Sequence, residues 1–130
     1  MKILIADDVP GWVNFHKNNI EYLGIPDISI DTANGALSAL SKIETEIDSP
    51  YDVIFTDLQM ESNFLPKLAG EWLIEQIQML KEYENSKIVI ISATSDINLI
   101  AKKYNVSYVP KYIIRNSDSE VYKNLLKTDK

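Results

Sequence analysis

Ile88-Val89-Ile90-Ile91, closed by Ser92, is the most continuously apolar run in the chain. A strand with one wet face alternates apolar and polar residues, whereas an unbroken run marks a strand covered on both faces, the situation in a parallel sheet. The period then changes. Ile97, Ile100, Ala101 and Tyr104 are spaced for one face of a short helix, and Asn105 can close it because asparagine tolerates the left-handed cap conformation. Val106-Ser107-Tyr108-Val109 returns to strand character, and Val121, Tyr122 and Leu125 to helical spacing. The same succession runs back toward the N-terminus. Asp52-Val53-Ile54-Phe55 is another apolar strand, followed by helical spacing at Leu73, Ile77 and Leu80. Ile28 to Thr32 alternates with period two, Asn34 is placed to cap a helix, and Ala36, Leu37, Leu40, Ile43 and Ile47 continue that helix. Ile3-Leu4-Ile5-Ala6 is a short strand, and from Trp12 onward Phe15, His16, Ile20 and Leu23 share a helix face that Gly24 is suited to stop.

Five strand–helix units with short connections imply a parallel sheet with helices on both faces, since crossovers between parallel strands are right-handed. The expected class is α/β, a flavodoxin-like doubly wound (βα)5 domain whose five-stranded parallel sheet has the order 2-1-3-4-5. In such sheets ligands bind beyond the carboxyl ends of the strands, at the switch point between strands 1 and 3. The 130 residues suffice for one core and form one expected domain, 1–130, with no repeat or linker to mark a boundary. No apolar run approaches the roughly 20 residues needed to span a bilayer, and the N-terminal run meets Asp7 and Asp8 too soon for a signal peptide, so a cytoplasmic protein is expected. The absence of cysteine excludes disulfides and thiolate metal sites. A net charge of −6 argues against direct nucleic-acid binding.

Strand 1 ends in Asp7-Asp8, strand 3 in Asp57, strand 4 in Ser92, and strand 5 runs toward Lys111. Three carboxylates converging on one sheet edge repel one another, so the site calls for a cation or a protonated acid. A hard divalent ion with oxygen ligands answers this, and Mg²⁺ in particular binds through one or two carboxylates, water and a phosphate oxygen. Lys111 and Ser92 add the positive charge and hydroxyl donor wanted around a phosphoryl group. No glycine-rich phosphate loop is present, so a nucleotide is not the obvious ligand. His16 and the two tryptophans, Trp12 and Trp72, read as packing residues.

Over essentially its whole length the chain resembles a response-regulator receiver domain. The resemblance rests on the acidic pair in LIADD, Asp57 in VIFTDLQM, Ser92-Ala93 in VIISAT, and Tyr108 with Lys111 in SYVPK, in this order at successive strand ends. It implies that Asp57 is the phosphoacceptor, taking a phosphoryl group from the phosphohistidine of a sensor histidine kinase or phosphotransfer protein. It further implies that Asp8, Asp57 and the backbone carbonyl of Gln59 hold Mg²⁺, with Asp7 acting through water. Lys111 would pair with one phosphoryl oxygen and Ser92 with another, as Tyr108 turns to a buried rotamer. The surface of the fourth helix, fifth strand and fifth helix would then shift toward a downstream effector protein. Such a domain catalyses only its own phosphorylation and dephosphorylation and is not an enzyme in the usual sense.

Two other readings compete with this one. A pseudo-receiver would keep the fold and bind proteins without phosphorylation, against which the intact set Asp7, Asp8, Asp57, Ser92 and Lys111 argues. A small Mg²⁺-dependent phosphatase would want a second acid two residues after its nucleophile, where Gln59 stands. The chain also departs from the family. Gly70, the counterpart of a glycine that usually follows the acceptor more closely, lies thirteen residues after Asp57. About five residues within Glu61 to Leu68 therefore look inserted, and their apolar side chains suggest a cover over the approach to Asp57. Ser92 to Lys111 is only nineteen residues, so the fourth helix should be brief. Lys111 is preceded by Pro110 and followed by Tyr112 rather than the common proline.

Overall fold

The structure, a computed structural model, describes residues 1–60 and 68–128. The inserted segment inferred within Glu61 to Leu68 lies outside the described residues except for Leu68. The elements in order are β1 (Lys2–Ala6), α1 (Pro10–Tyr22), β2 (Ser29–Ala33), α2 (Ala36–Thr45), β3 (Val53–Thr56), α3 (Ala69–Gln78), a 3₁₀ turn (Lys81–Tyr83), β4 (Lys87–Ser92), α4 (Ile97–Tyr104), β5 (Ser107–Pro110), α5 (Lys111–Arg115) and α6 (Glu120–Leu125). The five strands form one sheet of order β2-β1-β3-β4-β5, with every pairing parallel. No described helix is long and apolar enough to cross a membrane.

Strand side chains alternate between the two faces, which divides the core into two layers. Leu4, Ile54, Ile88 and Ile90 pack with Ala36, Ala39 and Ile43 of α2, Leu73, Ile74 and Ile77 of α3, and Ile97 and Ala101 of α4. Ile3, Ile5, Val53, Phe55, Val89 and Ile91 pack on the other face with Ile20 of α1, Ile114 of α5 and Tyr122 of α6. β1, β3 and β4 are therefore apolar at nearly every position, because each has helices on both sides. The hydroxyl of Tyr104, at the end of α4, donates to Glu71 and Glu75 of α3 at 2.9 and 2.6 Å and ties those helices together.

Several local expectations hold and others need correction. Gly24 and Asn105 take the left-handed conformation, at φ +65° and +56°, where α1 and α4 stop. α4 is brief, at eight residues. The cap position of α2 is Gly35, one residue beyond Asn34, and Asn34 Oδ1 accepts from the Ser38 hydroxyl at 3.1 Å. α2 ends at Thr45, short of Ile47, and α3 at Gln78, short of Leu80. The fifth helical unit is not a single helix around Val121. A short α5 begins at Lys111 itself, with Pro110 in extended geometry before it, and α6 follows after a break at Asn116 to Ser119. The sparse apolar spacing of residues 111–115 hid α5, since two buried positions, Lys111 and Ile114, are too few to show a period.

His16 is 2% exposed between α1 and α6, and its Nδ1 is paired with the Tyr122 hydroxyl. Burial, assisted by the positive charge of Lys111, pulls its pKa from 6.5 down to about 4. Between those values the unfolded chain binds a proton that the folded chain refuses. The contribution is thus fully present above pH 6.5 and is lost as the pH falls toward 4, by about 3 kcal/mol over that window. Urea unfolding of the parent and of His16→Phe at pH 7 and pH 4.5 should show a smaller acid loss in the variant. An equal loss in both would remove His16 from the account.

Candidate functional site

The register of the sheet sets the acids side by side. Ala6 pairs with Ala33 and with Thr56, and the ladder continues one residue further, with the Asp7 N–H donating to the Ala33 carbonyl and the Asp57 N–H to the Ala6 carbonyl. Asp7 and Asp57 therefore leave neighbouring strands at the same level. On the other side Ser92 pairs with Pro110, so Lys111 emerges one step beyond β5 toward the same edge. Carboxylate oxygens of Asp7, Asp8 and Asp57 lie within 4.8 Å of one another, the first and last residues buried and Asp8 exposed.

Lys111 is the counter-charge. Its Nζ donates to Asp57 Oδ2 at 2.9 Å and stands 3.0 Å from Asp7 Oδ2, with 10% of its side chain exposed. Burial alone would lower its pKa, but Asp57 first and then Asp7 more than offset that, so the ammonium is held above its usual range. Asp7 moves upward as well: burial and the Asp57 charge outweigh the Val9 N–H and Lys111. Among the described residues, one cation thus faces three acids. Asp7 Oδ1 accepts from the Val9 N–H at 2.9 Å, while Oδ2, though in ionic contact with Lys111, is buried without a hydrogen bond of proper geometry. An underserved buried carboxylate oxygen within a three-acid cluster is the donor set that a hard divalent cation fits. An open cleft of about 370 Å³, lined among others by Asp7, Asp8, Asn14 and Asn34, adjoins the acids. A larger cleft, about 630 Å³, lies at the far ends of β4 and β5 and is not part of this site.

Asp57 is 5% exposed and its orientation is set by its own loop. Oδ1 accepts from the Leu58 N–H at 2.7 Å and more distantly from the Gln59 N–H at 3.4 Å. Gly70, at the start of α3, donates its N–H to the Leu58 carbonyl at 2.9 Å. A Cβ on Gly70 would stand 2.0 Å from the Asp57 carbonyl oxygen, so only glycine allows this approach.

Asp7, Asp8, Asp57 and Lys111 are thus brought into one cluster. Ser92 lies at the same sheet edge, fully buried, with its hydroxyl paired to that of Thr94 at 2.9 Å. Gln59 is exposed beside Asp57, and Tyr108 is 43% exposed on β5. Two neighbours escaped the sequence reading. Thr94 follows Ser92 by two residues and had no signal beyond its hydroxyl. Trp12 was read as a packing residue, and its ring also lies 4.9 Å from Lys111 Nζ.

Cation linkage offers a direct check on the acid cluster. At about a hundredfold excess over its dissociation constant, Mg²⁺ should stabilise the protein by roughly 2–3 kcal/mol. Calorimetry should show a melting rise of several degrees, absent from an Asp8→Asn/Asp57→Asn double variant. Equal stabilisation of that variant would place the ion elsewhere.

The chain matches the response regulator receiver domain family over residues 3–123. A search of the curated proteins gives no match. Among solved structures it is similar to the chemotaxis response regulator CheY4 of Vibrio cholerae (TM-score 0.72, 18% identity, covering 95% of this chain and 97% of that one). It is likewise similar to a response regulator receiver domain protein from Clostridium thermocellum (TM-score 0.73, 23% identity, 96% and 90% covered) and to the receiver domain of Francisella response regulator 1452 (TM-score 0.65, 27% identity, 97% and 98% covered). With that match running from β1 into α6, over a parallel sheet of order β2-β1-β3-β4-β5, the chain belongs to the response-regulator receiver domains of two-component systems.

Proposed function

We propose that this domain is a phosphoryl-accepting switch with Asp57 as the acceptor. The reading rests above all on the surroundings of Asp57: a buried carboxylate bonded to Lys111 and set against Asp7 and Asp8. A carboxylate oxygen of Asp57 attacks the phosphorus of a phosphohistidine on a sensor histidine kinase or phosphotransfer protein. The O–P bond forms as the P–N bond breaks, and the imidazole leaves with a proton. Water later cleaves the acyl phosphate to inorganic phosphate and restores Asp57, so the domain is a substrate that is regenerated, not an enzyme acting on others. Asp8, Asp57 and the Gln59 backbone carbonyl, with Asp7 through water, would hold Mg²⁺, which when bound offsets negative charge on the transferred group.

Lys111 is already beside the acceptor and can pass from carboxylate to phosphoryl oxygen by a small movement. Ser92, whose hydroxyl here pairs with that of Thr94, would donate to a phosphoryl oxygen, a contact available only in the phosphorylated state. Such state-specific contacts shift a population of conformers. Tyr108, 43% exposed on β5, would turn inward as Ser92 moves. α4 and α5 both flank β5 and leave Leu99, Tyr108, Tyr112 and Ile113 exposed, an apolar surface suited to a downstream effector protein. A net charge of −6 makes direct nucleic-acid binding by this chain the weaker option. Incubation with acetyl phosphate and Mg²⁺, followed by intact mass, tests the proposal. A gain of one phosphoryl group is expected, and none would favour a phosphorylation-independent binding module.

A further inference from the structure

Among the described residues, Lys111 has two carboxylates and one aromatic ring against its ammonium, and they differ in what phosphorylation does to them. Asp57 Oδ2 and Asp7 Oδ2 hold the ammonium at 2.9 and 3.0 Å, and the face of the Trp12 ring stands 4.9 Å from it. On the reading above, both carboxylates change roles during transfer. Asp57 becomes bonded to phosphorus, and Asp7 would help hold Mg²⁺ through water. The indole face is the contact that the chemistry leaves alone. An aromatic face attracts an ammonium electrostatically, and more strongly where water is thinned, as around this lysine.

The ring is itself braced from behind. Trp12 meets Phe15 edge-on at 5.4 Å and leans on His16 at 5.5 Å. His16 in turn is buried and paired with Tyr122 of α6, whose ring contacts Phe55 of β3 at 6.2 Å. Turning the indole away from Lys111 would break these ring contacts with Phe15 and His16. A neutral His16 is also the form compatible with a nearby ammonium.

We propose that Trp12 is a positioning residue for phosphoryl transfer, its ring holding the Lys111 ammonium at the site while the carboxylates exchange their partners. This rests on the proposed function. The test compares acetyl phosphate uptake, with Mg²⁺, by the parent, Trp12→Leu and Trp12→Phe. The leucine variant should be slower by about tenfold, the worth of one partly desolvated cation–π contact, and phenylalanine should recover most of the rate. Phenylalanine also restores the ring contacts with Phe15 and His16, so urea unfolding of each variant accompanies the rates: a rate loss that simply follows the loss of stability assigns the ring to packing and overturns the inference. A second measurement needs no change at position 12: in a Trp72→Phe chain, where Trp12 is the sole tryptophan, Lys111→Gln should alter the emission of the metal-free protein. A leucine variant as fast as the parent, leucine and phenylalanine variants equally slow, or an unaltered emission would each overturn the inference. A parent that takes up no phosphoryl group overturns the proposed function instead, and the emission measurement still decides whether the ring and the ammonium interact.

Discussion

Asp57→Asn is expected to abolish phosphoryl uptake from acetyl phosphate and Mg²⁺, with no gain in intact mass where the parent gains one phosphoryl group. Asparagine matches aspartate in shape, and its carbonyl oxygen can still accept from the Leu58 N–H as Oδ1 does now. What it lacks is a carboxylate oxygen able to form an acyl phosphate. The variant should fold, because it also removes one of three mutually repelling acids gathered around the buried Lys111. Lys111 keeps Asp7 as a partner, and Asp7 loses one of the charges that raise its pKa. The loss of uptake therefore reports chemistry rather than unfolding, and an unchanged circular dichroism spectrum should accompany it. Persistent uptake by the folded variant would move the acceptor to another residue.

Gly70→Ala should be the most damaging of the small substitutions. The new methyl group would meet the Asp57 carbonyl oxygen at 2.0 Å, Leu58 Cα at 2.6 Å and the Asp57 carbonyl carbon at 2.9 Å. All three are backbone atoms, so no side chain can rotate to make room. Either α3 backs away from the sheet, opening the packing of Leu73 and Ile74, or the Asp57–Leu58 segment is displaced. Overpacking of this kind costs about 1–3 kcal/mol and sometimes more. The second route would also misdirect Asp57 and weaken the Leu58 and Gln59 N–H contacts to its carboxylate. Urea unfolding should show a lower midpoint, and the Mg²⁺-induced melting shift should shrink. A variant as stable as the parent would mean that α3 can slide freely over the site, contrary to its tight seat.

Much of the fold was legible in the chain because its signals are local. Ile88 to Ile91 reads as a strand buried on both faces, and the change to helical spacing at Ile97 is visible within a few residues. Such alternation, repeated, implies a parallel sheet, and right-handed crossovers leave few orders for five strands. The acids and the lysine could be placed as well, since each directly follows a strand and the ends of parallel strands meet at one edge. Boundaries fared worse. α5 carries too few buried positions to show a period, and Asn34 had the right type for a cap without the right place.

By itself, then, the sequence determined the sheet, its two apolar layers and the edge on which Asp7, Asp8, Asp57, Ser92 and Lys111 would gather. Only the tertiary structure decided how those groups are held. Lys111 reaches Asp57 across 54 residues of chain and His16 reaches Tyr122 across 106. The same structure sets the Trp12 ring against the ammonium and brings Gly70 against the Asp57 backbone. The physical reason lies in range: periodicity reports which face of an element avoids water, a property of neighbours in sequence. The partner met on that face depends on how helices and strands from distant parts of the chain pack, which no local pattern encodes.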